Sequence, residues 1–157
     1  RVLFRSSISH GYTSKTARGR YLEEFDWPGT DDPTSWLTAP FAAKTMIAMA
    51  GSLEKLMADN RALALAARRV LSEKLGVAPP APESMIGSLA ALVLPARTDE
   101  AARDPLYEAL FAQGFRVPVF PWPTPKHRVL RVSAQRYNDF DQYVRLGDAV
   151  DAFLARA

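Results

Sequence analysis

The sequence contains no cysteine and only two histidines, His10 and His127. Without cysteine the chain forms no disulfide, offers no thiolate to a metal ion and has no thiol nucleophile. The two histidines lie far apart and do not match the spacing of a zinc-binding motif. We therefore expect no metal site.

Long apolar runs are missing as well. No segment approaches the ~20 consecutive apolar residues of a membrane-spanning helix, and the N-terminus lacks the apolar core of a signal peptide. Among 157 residues, 48% are hydrophobic and 24% are charged, which is the composition of a globular protein. These features predict a cytoplasmic protein that does not associate with membranes.

The net charge of +3 is small, but the basic residues are unevenly distributed. They are concentrated at the N-terminus, and a run of basic residues can contact phosphates or nucleic acid. No aromatic residues alternate with these charges and no nucleic-acid-binding motif accompanies them, so we interpret the run as a solvated edge and expect no nucleic-acid partner. Five basic residues precede the first acidic residue of the chain: Arg1, Arg5, Lys15, Arg18 and Arg20.

The beginning of the chain predicts a strand over residues 2–8 without a preceding methionine, which suggests the C-terminal part of a longer polypeptide. Further along, Asp32 is the predicted N-cap of a helix with Pro33 at its first position. This helix is expected to run to Met49, to bend or split at Pro40 and to end at Gly51.

Ser52 then begins the most periodic segment of the sequence. Leucine, alanine and valine recur at helical spacing from Leu53 to Leu75, and Gly76 supplies a stop signal. At 1.5 Å per residue, this helix would be about 30 Å or more in length.

The remainder of the chain follows the pattern β-α-β-β-α. Three strands with helices on one face predict a small α/β two-layer sandwich, an α+β domain in the wider sense. The prolines of the second strand place it at an edge of the sheet. The predicted elements lie in MIGSLAALVLP (strand), TDEAARDPLYEALFAQG (helix), FRVPVFPWP (strand), HRVLRVSAQRYN (strand) and DFDQYVRLGDAVDAFLARA (helix).

Arg131 is the most unusual residue of the third strand, because it interrupts an apolar ladder. Strand side chains alternate between faces, so Leu130 and Val132 are expected to face the helices and Arg131 the opposite side, together with Val129 and Ser133. A guanidinium held by a strand suits bidentate binding of a carboxylate. The alternative is an arginine on an exposed sheet face.

Four further candidates lie near the N-terminus. Gly29 and Thr30 precede the predicted Pro33 helix, where backbone N–H groups and a hydroxyl can bind phosphate; a plain loop before a helix is the alternative. Trp27 can stack on a flat ligand or simply pack. His10 is either a site residue or a hydrogen-bonding group at a strand end.

Four stretches, in order and spacing, resemble pyridoxal-phosphate enzymes of the class V aminotransferase family, and most of all the isopenicillin N epimerase-like branch. The resemblance covers nearly the whole chain. FDWPGTDDPTSWL is the specific match, and RVSAQRYN is moderately specific. The four stretches are ISHGY, EFDWPGTDDPTSWLTAP, MIGSLAALVLP and LRVSAQRYND.

The resemblance implies roles for these residues. Gly29 and Thr30 would contact the phosphate of pyridoxal 5'-phosphate, commonly that of the neighbouring subunit of a homodimer, and Arg131 would bind the α-carboxylate of an amino-acid substrate. Beside these, His10 and Trp27 stay candidates for substrate binding on the residue patterns given above. Residues 1–50 would be the tail of the large cofactor-binding domain, and residues 51–157 a small C-terminal domain that begins with a long linking helix.

The sequence departs from the family at the catalytic lysine, which the resemblance places upstream of ISHG. None of the lysines present lies in that context, so no catalytic residue is assigned and the chain alone is expected to be inactive. Epimerisation, transamination and carbon–sulfur cleavage stay open, hence isomerase, transferase or lyase chemistry. The alternative is a free-standing, non-enzymatic α/β domain that binds a carboxylate or nucleic acid.

Overall fold

A computed structural model describes residues 32–97 and 103–156. The predicted strand 2–8 and the candidates His10, Trp27, Gly29 and Thr30 lie outside the described residues. The chain divides into two units between Thr45 and Met46, and the predicted boundary between 1–50 and 51–157 stays a prediction. The elements are α1 (Thr34–Ala50), α2 (Leu53–Leu75), a 3-10 turn (Glu83–Met85), β1 (Leu89–Leu94), α3 (Pro105–Ala112), β2 (Val119–Phe120), β3 (Arg128–Ser133) and α4 (Phe140–Leu154).

The ends of α1 agree with the predicted capping residues. A carboxylate oxygen of Asp32 accepts the backbone N–H of Thr34 at 2.9 Å. The helix is assigned from Thr34, one residue after the predicted start at Pro33. Pro40 lies inside the helix without splitting it. Gly51 follows the last turn with φ 97°, a left-handed conformation that glycine adopts without a steric penalty.

The predicted limits of α2 are also confirmed. The Ser52 hydroxyl accepts the backbone N–H of Lys55 at 3.1 Å, which satisfies one of the free donors of the first turn. At the other end, Gly76 has φ 62° and donates its N–H to the carbonyl of Ser72. Local chemistry alone therefore defined both ends of this long helix.

The second unit is a mixed α+β domain with a three-stranded antiparallel sheet in the order β1-β3-β2. The strand β3 is central, with Leu92 opposite Leu130 on one side and Val119 opposite Leu130 on the other. The short β2 lies at the edge, as its prolines predicted. The coarse fold prediction is confirmed by this arrangement.

Helices α2 and α4 pack on each other, and α2 also contacts β1 and β3. Burial of apolar surface between these layers stabilises the unit by roughly 25 cal/mol per Å². The buried core combines residues from five elements: Ala67, Leu71, Ala90, Leu92, Leu94, Leu106, Leu110, Leu130, Val132, Tyr143, Leu146 and Val150.

The helix predicted within residues 98–114 is described from Pro105, with Asp104 as its N-cap; residues 98–102 lie outside the described part. Asp104 accepts the N–H of Leu106 at 2.9 Å and forms a buried ion pair with Arg128 at 2.8 Å. Gly114 follows the helix with φ 89°.

Helices long and apolar enough to cross a membrane do not occur among residues 32–97 and 103–156.

Candidate functional site

The side chains of β3 alternate between the core and the opposite sheet face. Leu130 and Val132 are buried, whereas Arg131 and Ser133 are exposed. This confirms the predicted orientation of the strand. Val129 was expected on the open face, yet its exposed fraction is only 6%.

The burial of Val129 follows from its position in the middle strand. It pairs with Val93 of β1 and Phe120 of β2, which flank it on both sides. Large apolar cross-strand neighbours contact a residue of the middle strand from both sides and reduce its exposure. The open face is therefore apolar at one end of β3 and polar at the other.

Arg131 has small or weakly polar neighbours on both sides. Its cross-strand partner on β1 is Ala91, and on the β2 side its backbone N–H donates to the carbonyl of Pro118 at 3.1 Å. Within residues 32–97 and 103–156, its side chain forms no ion pair and no hydrogen bond. A guanidinium without a protein carboxylate is available to an anionic ligand.

Arg131 lines an open hollow of about 650 Å³, a volume within the ~300–1,000 Å³ typical of ligand clefts. The hollow is formed by three parts of the chain. These are the segment between α3 and β2, the end of β3, and the turn that leads into α4 together with the first turns of that helix. Its lining comprises Gln113, Gly114, Phe115, Arg116, Val117, Pro118, Arg131, Val132, Ser133, Tyr137, Asn138, Gln142, Tyr143, Arg145 and Leu146.

The turn between β3 and α4 is fixed by side-chain hydrogen bonds. The Asn138 side-chain oxygen accepts the N–H of Gln135 at 3.1 Å, a bond that asparagine side chains commonly form in turns. Asp139 and Gln142 form a reciprocal capping box at the start of α4. The wall of the hollow that carries Tyr137 and Asn138 is thus held rigidly against the end of β3.

Asn60 anchors the same turn from α2, a contact that the sequence reasoning missed. Its side-chain amide donates to the Gln135 side-chain oxygen at 2.8 Å, and that oxygen also accepts the backbone N–H of Arg136 at 2.8 Å. Asn60 is only 7% exposed. The sequence did contain a signal for this contact. Asn60 lies four positions after Leu56 and four before Ala64, so a polar residue lies on the buried face of the helix.

Tyr143 connects the hollow to the core. It donates its hydroxyl hydrogen to the carbonyl of Ser133 at 2.7 Å. Burial raises the pKa of this phenol above its ordinary value, and the nearby Asp139 and Tyr137 raise the pKa further. The side chain is therefore neutral at physiological pH, and its hydrogen bond joins α4 to the end of β3.

The four described lysines lie outside the lining of the hollow: Lys44, Lys55, Lys74 and Lys126. Lys55 forms a surface ion pair with Asp59 and Lys74 forms one with Asp148. No described lysine lines the hollow. The lining offers arginine, hydroxyl and amide groups, which can bind a carboxylate, and no described lysine that could form a Schiff base.

The structure thus brings Arg131 together with Ser133, Tyr137 and Asn138 at one hollow. It does not describe the predicted phosphate-binding pair or the other two N-terminal candidates. Neither protein-family models nor curated proteins match this chain.

Proposed function

We propose that the chain is the C-terminal part of a pyridoxal-phosphate-dependent enzyme of the class V aminotransferase type, acting on an amino acid in the cytoplasm. In this proposal the second unit contributes the carboxylate-binding arginine. The Schiff-base lysine belongs to a segment upstream of ISHG, and Gly29 and Thr30 contact the cofactor phosphate in a homodimer.

The observation that carries the proposal is the position of Arg131. An arginine whose side chain has no partner among the described residues lies on the central strand and lines a hollow of ligand size. Ala91 opposite Arg131 leaves space beside its side chain. Paired strands on both sides hold its backbone, so its guanidinium meets a carboxylate at a low entropic cost.

The chemical role of Arg131 is to bind and orient. Two parallel N–H···O bonds from the guanidinium fix the plane of a carboxylate, which a single point charge does not. An amino acid held in this way presents its α-carbon in one orientation to the rest of the enzyme. The cofactor would supply the electron-withdrawing group when bound, and no described residue takes part in that step.

Epimerisation, transamination and carbon–sulfur cleavage all need this binding step, so Arg131 does not discriminate among them. Their difference lies in bases that the described residues do not include. We therefore assign the family type and leave the reaction as isomerase, transferase or lyase chemistry on an amino acid.

A second candidate function is a non-enzymatic domain that binds a carboxylate ligand through the same arginine. The exposed position of Arg131 favours this alternative to the same degree. The two differ in whether the polypeptide encoded by the complete reading frame binds pyridoxal phosphate.

The test is to express the complete reading frame and to measure steady-state kinetics with L- and D-amino acids in the presence of pyridoxal phosphate. Arg131→Ala is expected to raise KM about tenfold or more, because a charge-assisted pair is lost. The effect on kcat should be smaller, since binding is the main loss.

Arg136→Ala is the matched control. Arg136 lies five residues further on, is exposed and does not line the hollow, so its removal should leave KM unchanged. An Arg131→Ala enzyme with the parent KM would refute the assignment. A complete polypeptide that does not bind pyridoxal phosphate would favour the non-enzymatic alternative.

A further inference from the structure

The hollow beside Arg131 is lined by three arginines from three different segments. Arg116 lies between α3 and β2, Arg131 on β3 and Arg145 on α4. No described aspartate or glutamate lines the hollow. Three guanidiniums around one concave surface carry more positive charge than a single carboxylate would neutralise, and they produce a positive potential there.

Arg116 is already engaged with the protein. Its guanidinium lies 3.7 Å from the centre of the Phe111 ring and donates to the Phe111 carbonyl at 3.1 Å. Stacking and hydrogen bonding together fix this side chain against the end of α3. Arg116 therefore contributes a fixed positive charge at the rim.

Arg145 is not engaged in this way. It is exposed, and its side chain forms neither an ion pair nor a hydrogen bond with any residue of the described ranges. It lies in α4 one helical turn after Asp141 and close to Gln142 and Tyr143, which also line the hollow. The capping box at Asp139 sets the position of this first part of the helix.

We infer that the ligand of this hollow is an amino acid with a second acidic group, whose α-carboxylate binds Arg131 and whose distal carboxylate binds Arg145. The inference rests on the proposed function of Arg131 as a carboxylate-binding residue. Two separate guanidiniums that bind no side chain or backbone group of the described ranges match two separate carboxylates. A volume of about 650 Å³ accommodates such a ligand with its aliphatic spacer.

The test compares two probes that differ by one charge, glutarate and its half-amide glutaramate, by NMR titration of the isotopically labelled 157-residue chain. The arginine Nε–H resonances report which guanidinium each probe contacts. Glutarate is expected to bind about tenfold more tightly than glutaramate, because it makes one more charge-assisted contact. Inorganic phosphate is a third probe and is expected to bind more weakly than glutarate.

Three variants distinguish the proposed carboxylate site at Arg131 from the second carboxylate site at Arg145. Arg145→Gln should reduce glutarate binding to within about twofold of glutaramate binding and leave the glutaramate affinity unchanged. Arg131→Gln should weaken both probes. Arg136→Gln, outside the hollow, should change neither. The amide spectrum of each variant shows whether the fold is intact.

Equal affinities of the two probes for the parent chain, or an unchanged ratio in Arg145→Gln, would overturn the second carboxylate site. If Arg131→Gln still weakens glutaramate in that case, the proposed function of Arg131 survives. If phosphate binds more tightly than glutarate, the hollow binds compact polyanions and the inference is wrong. If Arg131→Gln weakens neither probe, both the inference and the proposed function fail.

Discussion

At the scale of the residue, the phenol of Tyr143 is where the hollow meets the core. Its hydroxyl hydrogen bond to the carbonyl of Ser133 joins α4 to the end of β3. Because burial raises its pKa, the folded protein holds the phenolic proton more tightly than the unfolded chain does. This contribution to stability is complete below the ordinary tyrosine pKa of about 10 and is lost as the pH rises above it.

Tyr143→Phe is therefore expected to have two effects on the free energy of unfolding. At neutral pH it should lower this free energy by about 1 kcal/mol, the typical net contribution of one hydrogen bond. Above about pH 10 the difference from the parent should shrink, because the variant has no buried phenol to ionise. Urea denaturation from about pH 8 to about pH 11 measures both effects. A difference that stays constant over this range would contradict the burial argument.

At the scale of the element, the ion pair between Asp104 and Arg128 links the beginning of α3 to the beginning of β3. Both side chains are almost fully buried, with exposed fractions of 3% and 5%. Asp104 also caps α3 through the N–H of Leu106. Removal of one partner leaves the other charge buried without an opposite charge, and this lowers the free energy of unfolding strongly.

Asp104→Ala is expected to lower the free energy of unfolding by roughly 3–5 kcal/mol, because it leaves the Arg128 guanidinium unpaired and removes the cap. Chemical denaturation of the 157-residue chain measures this loss. The neighbouring pair of Arg103 and Glu108 is the control, since both side chains are more than half exposed. Arg103→Ala should change the stability by less than about 1 kcal/mol, and similar losses in the two variants would show that burial is not the reason.

At the scale of the whole molecule, the positions of the lysines bear on the prediction that this chain is inactive by itself. The chain has five lysines: Lys15, Lys44, Lys55, Lys74 and Lys126. The family resemblance places the lysine that binds the cofactor in a different sequence context, and the hollow has no described lysine in its lining. Under the proposed function, the resemblance and the lining of the hollow together predict that the 157-residue chain is catalytically inactive.

Incubation of this chain with pyridoxal phosphate, followed by borohydride reduction and peptide mass spectrometry, is expected to give only scattered labelling of surface lysines. The same procedure on the chain unfolded in urea is the control, and both samples should label with a similar pattern. One lysine labelled stoichiometrically in the folded chain alone would contradict the prediction and place a cofactor site within these 157 residues.

Local signals predicted the ends of several elements. Ser52 and Gly76 define α2 because a hydroxyl cap and a left-handed glycine act within a few residues of the helix. The alternation around Arg131 predicted its face for a similar reason, since strand side chains alternate with a period of two. Val129 was the exception, because its burial depends on neighbours from two other strands.

Contacts between distant segments were not predicted. Asn60 and Gln135 are 75 residues apart in sequence, and a single sequence does not indicate which polar side chains meet across a fold. The same limit applies to the three arginines of the hollow, which come from separate elements. Arg145 reaches the hollow because the start of α4, joined to the end of β3 by the hydrogen bond from Tyr143 to Ser133, forms part of its wall.

By itself, the sequence determined the order and type of the described elements, the end residues of α1 and α2 and the side of the sheet on which Arg131 lies, because these follow from backbone geometry over a few neighbouring residues. The tertiary structure alone decided that Arg131 has a hollow beside it, that Arg145 shares this hollow and that Asp104 pairs with Arg128. Such features arise when separate elements pack and exclude water, and their physical basis is the three-dimensional arrangement of surfaces that no local pattern encodes.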